Sequence, residues 1–168
     1  MLDSLLVAAV MLGCGGTPME TQLPVNRTRA FSQSIDTLGV AFDIPAGSTR
    51  VEEVLPGVLE GFGLEINFRE PGRIGTCYQK VRGRLGDVML SRFVDCGETR
   101  SLPNADRYEV ALTLLVTVEP DDKWSRIHIF LLGVGLDGSG SSAGRIWCFS
   151  KASLERRIAQ MVETRALS

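Results

Sequence analysis

The side chains able to do covalent or proton-transfer chemistry are few in this sequence. Four cysteines, Cys14, Cys77, Cys96 and Cys148, supply its thiols, and His128 is its single imidazole. A nucleophile needs a general base within hydrogen-bond reach. His128 falls between Ile127 and Ile129 in a strand-like run, where a half-exposed or hydrogen-bonded strand histidine is the favoured reading. Asp87, Asp95, Asp106, Asp121 and Asp122 all fall at predicted turns or strand ends, where short carboxylates hold backbone geometry. No acid–base dyad assembles from them. Zinc needs about four converging N or S ligands, and one histidine without a C-x-x-C pair does not supply them. Gly72-Arg73-Ile74-Gly75 and Gly83-Arg84-Leu85-Gly86 share a G-R-x-G form, but neither opens a helix after a strand as a phosphate loop does. Both read as hairpin turns. The expectation is a chain that is not an enzyme and takes no metal and no cofactor.

Cys14 carries the most specific pattern. It closes Met11-Leu12-Gly13-Cys14, directly after the apolar run Leu5-Leu6-Val7-Ala8-Ala9-Val10. An apolar residue three before the thiol and a small one immediately before it resemble the lipobox of bacterial lipoproteins. In that family a signal peptidase cuts before the cysteine, and the new N-terminal residue carries lipid. The resemblance implies a signal peptide over 1–13 and lipidation at Cys14. The apolar run is shorter than the roughly 20 residues that span a bilayer, and has the length of a signal h-region. Met1-Leu2-Asp3-Ser4 departs from the family in having no Lys or Arg. A lipid chain contributes about 0.8 kcal/mol per buried CH2, and stable anchoring takes more than one chain, which the family's tri-acylated cysteine provides. Gly15 stands where many inner-membrane lipoproteins have Asp. The location so implied is the cell envelope, lipid-anchored on the periplasmic side, with the outer membrane favoured.

An oxidising compartment favours disulfides. Cys77, Cys96 and Cys148 then allow three pairings, of which Cys96–Cys148 is favoured. Asp95-Cys96-Gly97 reads as a strand end entering a loop, and Trp147-Cys148-Phe149 as a short segment before a helix. Cys77, in Thr76-Cys77-Tyr78-Gln79, is expected inside a strand as a free thiol packed like a small hydrophobe.

The elements that must position these residues follow from patterning. Hydrophobic content of 44% and charged content of 23% suit one globular domain. The net charge of −2 gives no electrostatic footprint for nucleic acid. Lys80, Arg82, Arg84 and Arg92 are offset by Asp87 and Asp95, as on a solvated strand face. Residues 14–35 are polar, without apolar period, and read as a flexible lipidated tether. A single domain is expected over 36–168.

Leu38, Val40, Phe42 and Ile44 alternate as a first strand. Thr49 and Glu52 form a T-x-x-E capping box ahead of Val51, Val54, Leu55, Val58, Leu59 and Phe62, one helical apolar stripe. Pro56 predicts a kink or a split in that helix. Leu64, Ile66 and Phe68 make a second strand, Ile74 to Arg82 a third and Met89 to Val94 a fourth. Val110, Leu112, Leu114, Val116 and Val118 alternate with polar neighbours as a half-buried antiparallel strand. Its partner, Trp124 to Leu136, is apolar on both sides toward its end: Ile127, Ile129 and Leu131 against Phe130, Leu132 and Val134. A flexible loop over 138–144, a short strand at Ile146 to Phe149, and a helix capped by Ser150 complete the chain. That helix is expected to bury Ala152, Leu154, Ile158, Met161 and Val162.

The order β-α-β-β-β-β-β-β-α implies an α+β fold, a mostly antiparallel curved sheet packed against two helices. In architecture this resembles the helix-grip lipoproteins, such as the C-component of the outer-membrane barrel-assembly machinery. The expected function is an extrinsic accessory, structural or assembly subunit of a membrane-protein complex, held to the membrane by its lipid. The alternative is a lipid or apolar small-molecule carrier, with a cleft lined by Leu112, Leu114, Phe130, Leu132, Leu154 and Ile158.

Overall fold

The computed structural model of this chain describes residues 39–136 and 144–168. The expected signal peptide, the tether, Cys14 and most of the 138–144 loop lie outside the described residues.

The two long alternating segments become the centre of the sheet. Glu109–Glu119 (β9) and Ser125–Leu136 (β10) pair antiparallel, with Ile129 opposite Val116 and Leu131 opposite Leu114. Period-two alternation puts Val110, Leu112, Leu114, Ile127 and Ile129 on one face, and all five are buried. Arg73–Arg82 (β3) pairs with β9, and Phe68–Glu70 (β2) with β3. On the far side Ile146–Ser150 (β11) pairs with β10, and Val94–Asp95 (β6) with β11. Gly39–Ile44 (β1) also pairs with β10. The fold is α+β, a mostly antiparallel sheet with two helices.

Both helices bury their stripes in one core cluster with the same sheet face. Ser48–Gly61 (α1) contributes Val51, Leu55, Val58 and Leu59, and Ser153–Ala166 (α2) contributes Leu154, Ile158, Ala159 and Val162. The Arg165 guanidinium of α2 lies against α1, 3.1 Å from where a Cβ on Gly57 would stand. Arg50 reaches across to the Arg165 carbonyl at 3.3 Å.

Several expectations are corrected. The T-x-x-E capping box does not cap α1, whose N-cap is Gly47 and which has no side-chain cap. The Ser48 N–H is instead held at 2.9 Å by the Asp121 carbonyl of the β9–β10 turn, so a tertiary contact starts the helix earlier. Pro56 neither ends nor splits α1. The ladder bond it removes frees the carbonyl of Glu52, an exposed residue, while the buried stripe runs on past it. Met161 is 39% exposed and leaves the expected buried face of α2.

Met89 to Val94 is not one strand. Arg84–Leu85 (β4) and Val88–Met89 (β5) form a small hairpin, and a 3-10 turn over Leu90–Arg92 leads into β6. Burial of Leu90 and Phe93, three apart, drives the chain into that turn, because strand alternation would send them to opposite faces. A second hairpin, Glu98–Thr99 (β7) with Leu102–Pro103 (β8), precedes a 3-10 turn at Asn104–Asp106.

Candidate functional site

The favoured cystine is present. Cys96, just after β6, is bonded to Cys148 in β11 across 52 residues of sequence, and both side chains are buried. It staples the segment that the sheet holds least, since β6 has only two residues. Around it the Asp95 carboxylate accepts the Gly97 N–H at 2.8 Å, and Asn104 donates to the Cys96 carbonyl at 3.2 Å. The β7–β8 hairpin projects from this staple. Its tip, Arg100 and Ser101, takes positive φ of 55° and 60°, and Leu102 is 54% exposed.

Cys77 is disulfide-bonded too, which corrects its reading as a free thiol. It lies at a β-bulge between Thr76 and Gln79, where Tyr78 adopts a φ of 53°. The bulge is held from outside the sheet. The Asn67 side-chain oxygen Oδ1 accepts the Cys77 N–H at 2.6 Å, and the Asn67 side-chain Nδ2 donates to the Cys77 carbonyl at 3.0 Å. A side chain thus replaces the missing neighbour strand.

The six expected cleft residues do not come together. Leu112, Leu114, Leu154 and Ile158 sit in the closed core between sheet and helices. Phe130 and Leu132 point from the opposite face of β10, where they are half-buried. That face presents its own apolar band. Cross-strand pairing aligns Phe68, Gly75, Leu115 and Phe130 in one row, and Thr113, Leu132 and Phe149 in the next. Phe149 is 45% exposed, and the Arg73 guanidinium stands over the Phe68 ring at 5.3 Å.

Charged pairs lie at the ends of the band. His128 Nε2 is 2.9 Å from a Glu119 carboxylate oxygen, and Lys80 pairs with Glu109 at 3.1 Å. Arg126 holds Asp43 at 2.7 Å. The hydrogen bond from Arg126 keeps the Asp43 carboxyl below its usual range. These pairs are exposed, and such pairs contribute little. His128 is placed as half-exposed strand surface.

The turn aspartates serve backbone geometry. Asp106 accepts the Ser91 N–H at 2.8 Å, and Asp121 accepts those of Lys123 and Trp124 at 2.8 and 2.9 Å. Gly72 in the β2–β3 hairpin turn and Gly86 in the β4–β5 hairpin turn take positive φ, whereas Gly83, also at positive φ, joins β3 to β4, which do not pair. Among the described residues no group of three or more His, Cys, Asp or Glu is arranged to hold a metal ion. No described helix is long and apolar enough to cross a membrane.

One ionisable group escaped the sequence reading. Glu155 is fully buried in α2, and the Ser150 hydroxyl donates to its carboxylate. Its position within the arc of Leu154, Ile158, Ala159 and Val162 is the signal that a helical projection carries. No family model, no curated protein and no solved structure matches this chain.

Proposed function

We propose that this chain is a bacterial envelope lipoprotein. In this reading it is an extrinsic accessory, structural or assembly subunit of a membrane-protein complex, anchored through Cys14 on the periplasmic side, at the outer membrane. The observation that carries the reading is Met11-Leu12-Gly13-Cys14 at the end of an apolar run of signal-peptide length. The Cys96–Cys148 cystine supports it, because structural disulfides belong to oxidising compartments. The apolar band of Phe130, Leu132 and Phe149, with the Lys80–Glu109 and His128–Glu119 ion pairs at its ends, has the apolar centre and charged margins of a protein contact surface.

A thioether at Cys14 excludes a disulfide at that sulfur, so with Cys96 and Cys148 paired to each other this reading requires the Cys77 disulfide to be absent from the acylated protein or to run to another chain. Intact-mass measurement of the membrane-extracted protein therefore tests the anchor. Loss of residues 1–13 with added acyl mass supports it, whereas an uncleaved chain, or Cys14 found in a disulfide, overturns it. The role is tested separately by purifying the lipidated protein from detergent-solubilised envelopes. A stoichiometric complex with one membrane protein is expected. Recovery of the chain alone, under conditions that keep known envelope complexes intact, overturns the accessory role and leaves the anchor standing.

A further inference from the structure

The buried arc of α2 holds one carboxyl among apolar side chains. Glu155 is 0% exposed, between Leu154 and the Ile158–Ala159 pair. One of its oxygens accepts the Ser150 hydroxyl, and that hydroxyl accepts the Ala152 N–H at 2.8 Å. The other oxygen, Oε2, is buried without a hydrogen-bond partner. A neutral carboxyl tolerates such a setting, whereas an ionised one leaves an unsatisfied buried charge.

The residues around it form a joint. Ser150 is opposite Val94 of β6, the Lys151 N–H bonds the Phe93 carbonyl at 2.9 Å, and the Ser153 hydroxyl bonds the Arg92 carbonyl at 2.6 Å. Ala152, the N-cap of α2, has a φ of 58°, a left-handed conformation that a non-glycine residue holds only when its surroundings enforce it. The first turn of α2 is thus seated on β6 and the Leu90–Arg92 turn by a few short bonds, and the Ser150 hydroxyl beside them contacts the buried acid.

We propose that buried Glu155 is a pH-operated latch on this joint: the first turn of α2 stays closed on β6 while the carboxyl is neutral and is released when the carboxyl loses its proton to solvent, with the Ser150 hydrogen bond opposing the release. Burial is the first cause that raises the Glu155 carboxyl above the ordinary glutamate range, with the Ser150 hydrogen bond opposing it. The charged groups nearby do not neutralise it. Arg156, its neighbour on α2, favours the ionised form but is exposed. Lys151 is committed to the Ser91 carbonyl at 2.8 Å, and Arg157 lies over the Phe93 ring at 5.8 Å. Arg92 and Asp95 face water, and Asp106 is engaged with the Ser91 N–H. β10 turns apolar side chains toward α2.

The sign follows from linkage. The closed state binds the proton more tightly than the open one, so closure is complete below the ordinary glutamate value of about 4.3 and weakens as pH rises toward the raised value. Hydrogen exchange of the amides over 153–158 in the full chain, corrected for intrinsic exchange, reads this directly. Protection is expected to be flat at the acid end, then to fall by up to about ten-fold per pH unit as pH rises above the ordinary glutamate value of about 4.3 toward the raised one. Glu155→Gln should remove that fall. Ser150→Ala, which deletes a bond favouring the charged form, should move its midpoint upward and keeps the test available should Glu155→Gln not fold. Protection that stays flat in the parent, or a fall that persists in Glu155→Gln, overturns the latch. So does a midpoint that Ser150→Ala leaves in place.

Discussion

Cys96 and Cys148 join the loop after β6 to the middle of β11, and so fix a strand of only two residues to the sheet across 52 residues of chain. Closing a loop of that length restricts the unfolded ensemble, and losing a native cystine costs about 2–4 kcal/mol. The Cys96→Ala, Cys148→Ala double variant should therefore lose about that much in chemical denaturation. The loss should be uneven. Exchange over 94–106, where the β7–β8 hairpin and Asn104 depend on the staple, should rise before exchange in β9 and β10. A uniform loss would show that β6 is held by the sheet and not by the bond.

The two faces of β9 and β10 make a second, sharper comparison. Leu112 and Leu154 are fully buried, whereas Phe149 on the opposite face is 45% exposed. Leu112→Ala and Leu154→Ala should each cost about 2–5 kcal/mol through lost transfer energy and a cavity. Phe149→Ala should cost about 1 kcal/mol or less in the isolated protein. If the outer band is a contact surface, as the proposed function holds, Phe149→Ala should instead weaken recovery of the complex. Equal stability losses at Leu112 and Phe149 would mean that the outer band belongs to the core.

Gly75 tests the register that aligns this band. A Cβ there would strike the Leu114 carbonyl and lie 3.2 Å from the Leu115 Cα, so β3 and β9 must separate to admit it. Gly75→Ala should cost about 1–3 kcal/mol, the usual range for overpacking. Gly144 has nothing within 4 Å of the corresponding position, and Gly144→Ala should change stability by about 0.5 kcal/mol or less. Thermal melts of the two variants side by side decide whether close strand approach, and not glycine content in general, explains Gly75.

Where a period repeats over many residues, the chain announces its structure. β9 and β10 run across eleven and twelve residues, and their pairing and the buried face of β9 are legible before any coordinates. The α1 stripe is equally plain, but its start is not. Thr49 and Glu52 satisfy a local capping rule that loses to the Asp121 carbonyl, a partner some seventy residues away that no local rule contains. The stretch from Val88 to Asp106 is illegible for a related reason. Its elements are two or three residues long and are held by Asp106, Asn104 and the cystine, not by a repeating pattern. Of the candidate cleft, patterning identified each side chain as apolar. It could not assign Phe130 and Leu132 to the outer face, because β10 carries apolar residues on both.

Asp121 links that turn to pH. Its carboxylate accepts two backbone N–H groups, from Trp124 and Lys123, and these hold its carboxyl below the usual aspartate range. The same residue's carbonyl holds the Ser48 N–H, so the turn also seats the start of α1. For a carboxyl depressed in the folded state, the stabilising contribution is present above the ordinary value of about 3.9 and is lost as pH falls through the lower folded value. Exchange of the Lys123 and Trp124 amides, corrected for intrinsic rates, should thus be slow at neutral pH and quicken only in acid. Asp121→Ala should expose both amides at every pH. Asp121→Asn keeps an acceptor oxygen without the charge, and should give intermediate protection that does not respond to pH. An acid response that survives in Asp121→Ala would assign the effect to another carboxylate and leave the turn without its proposed switch.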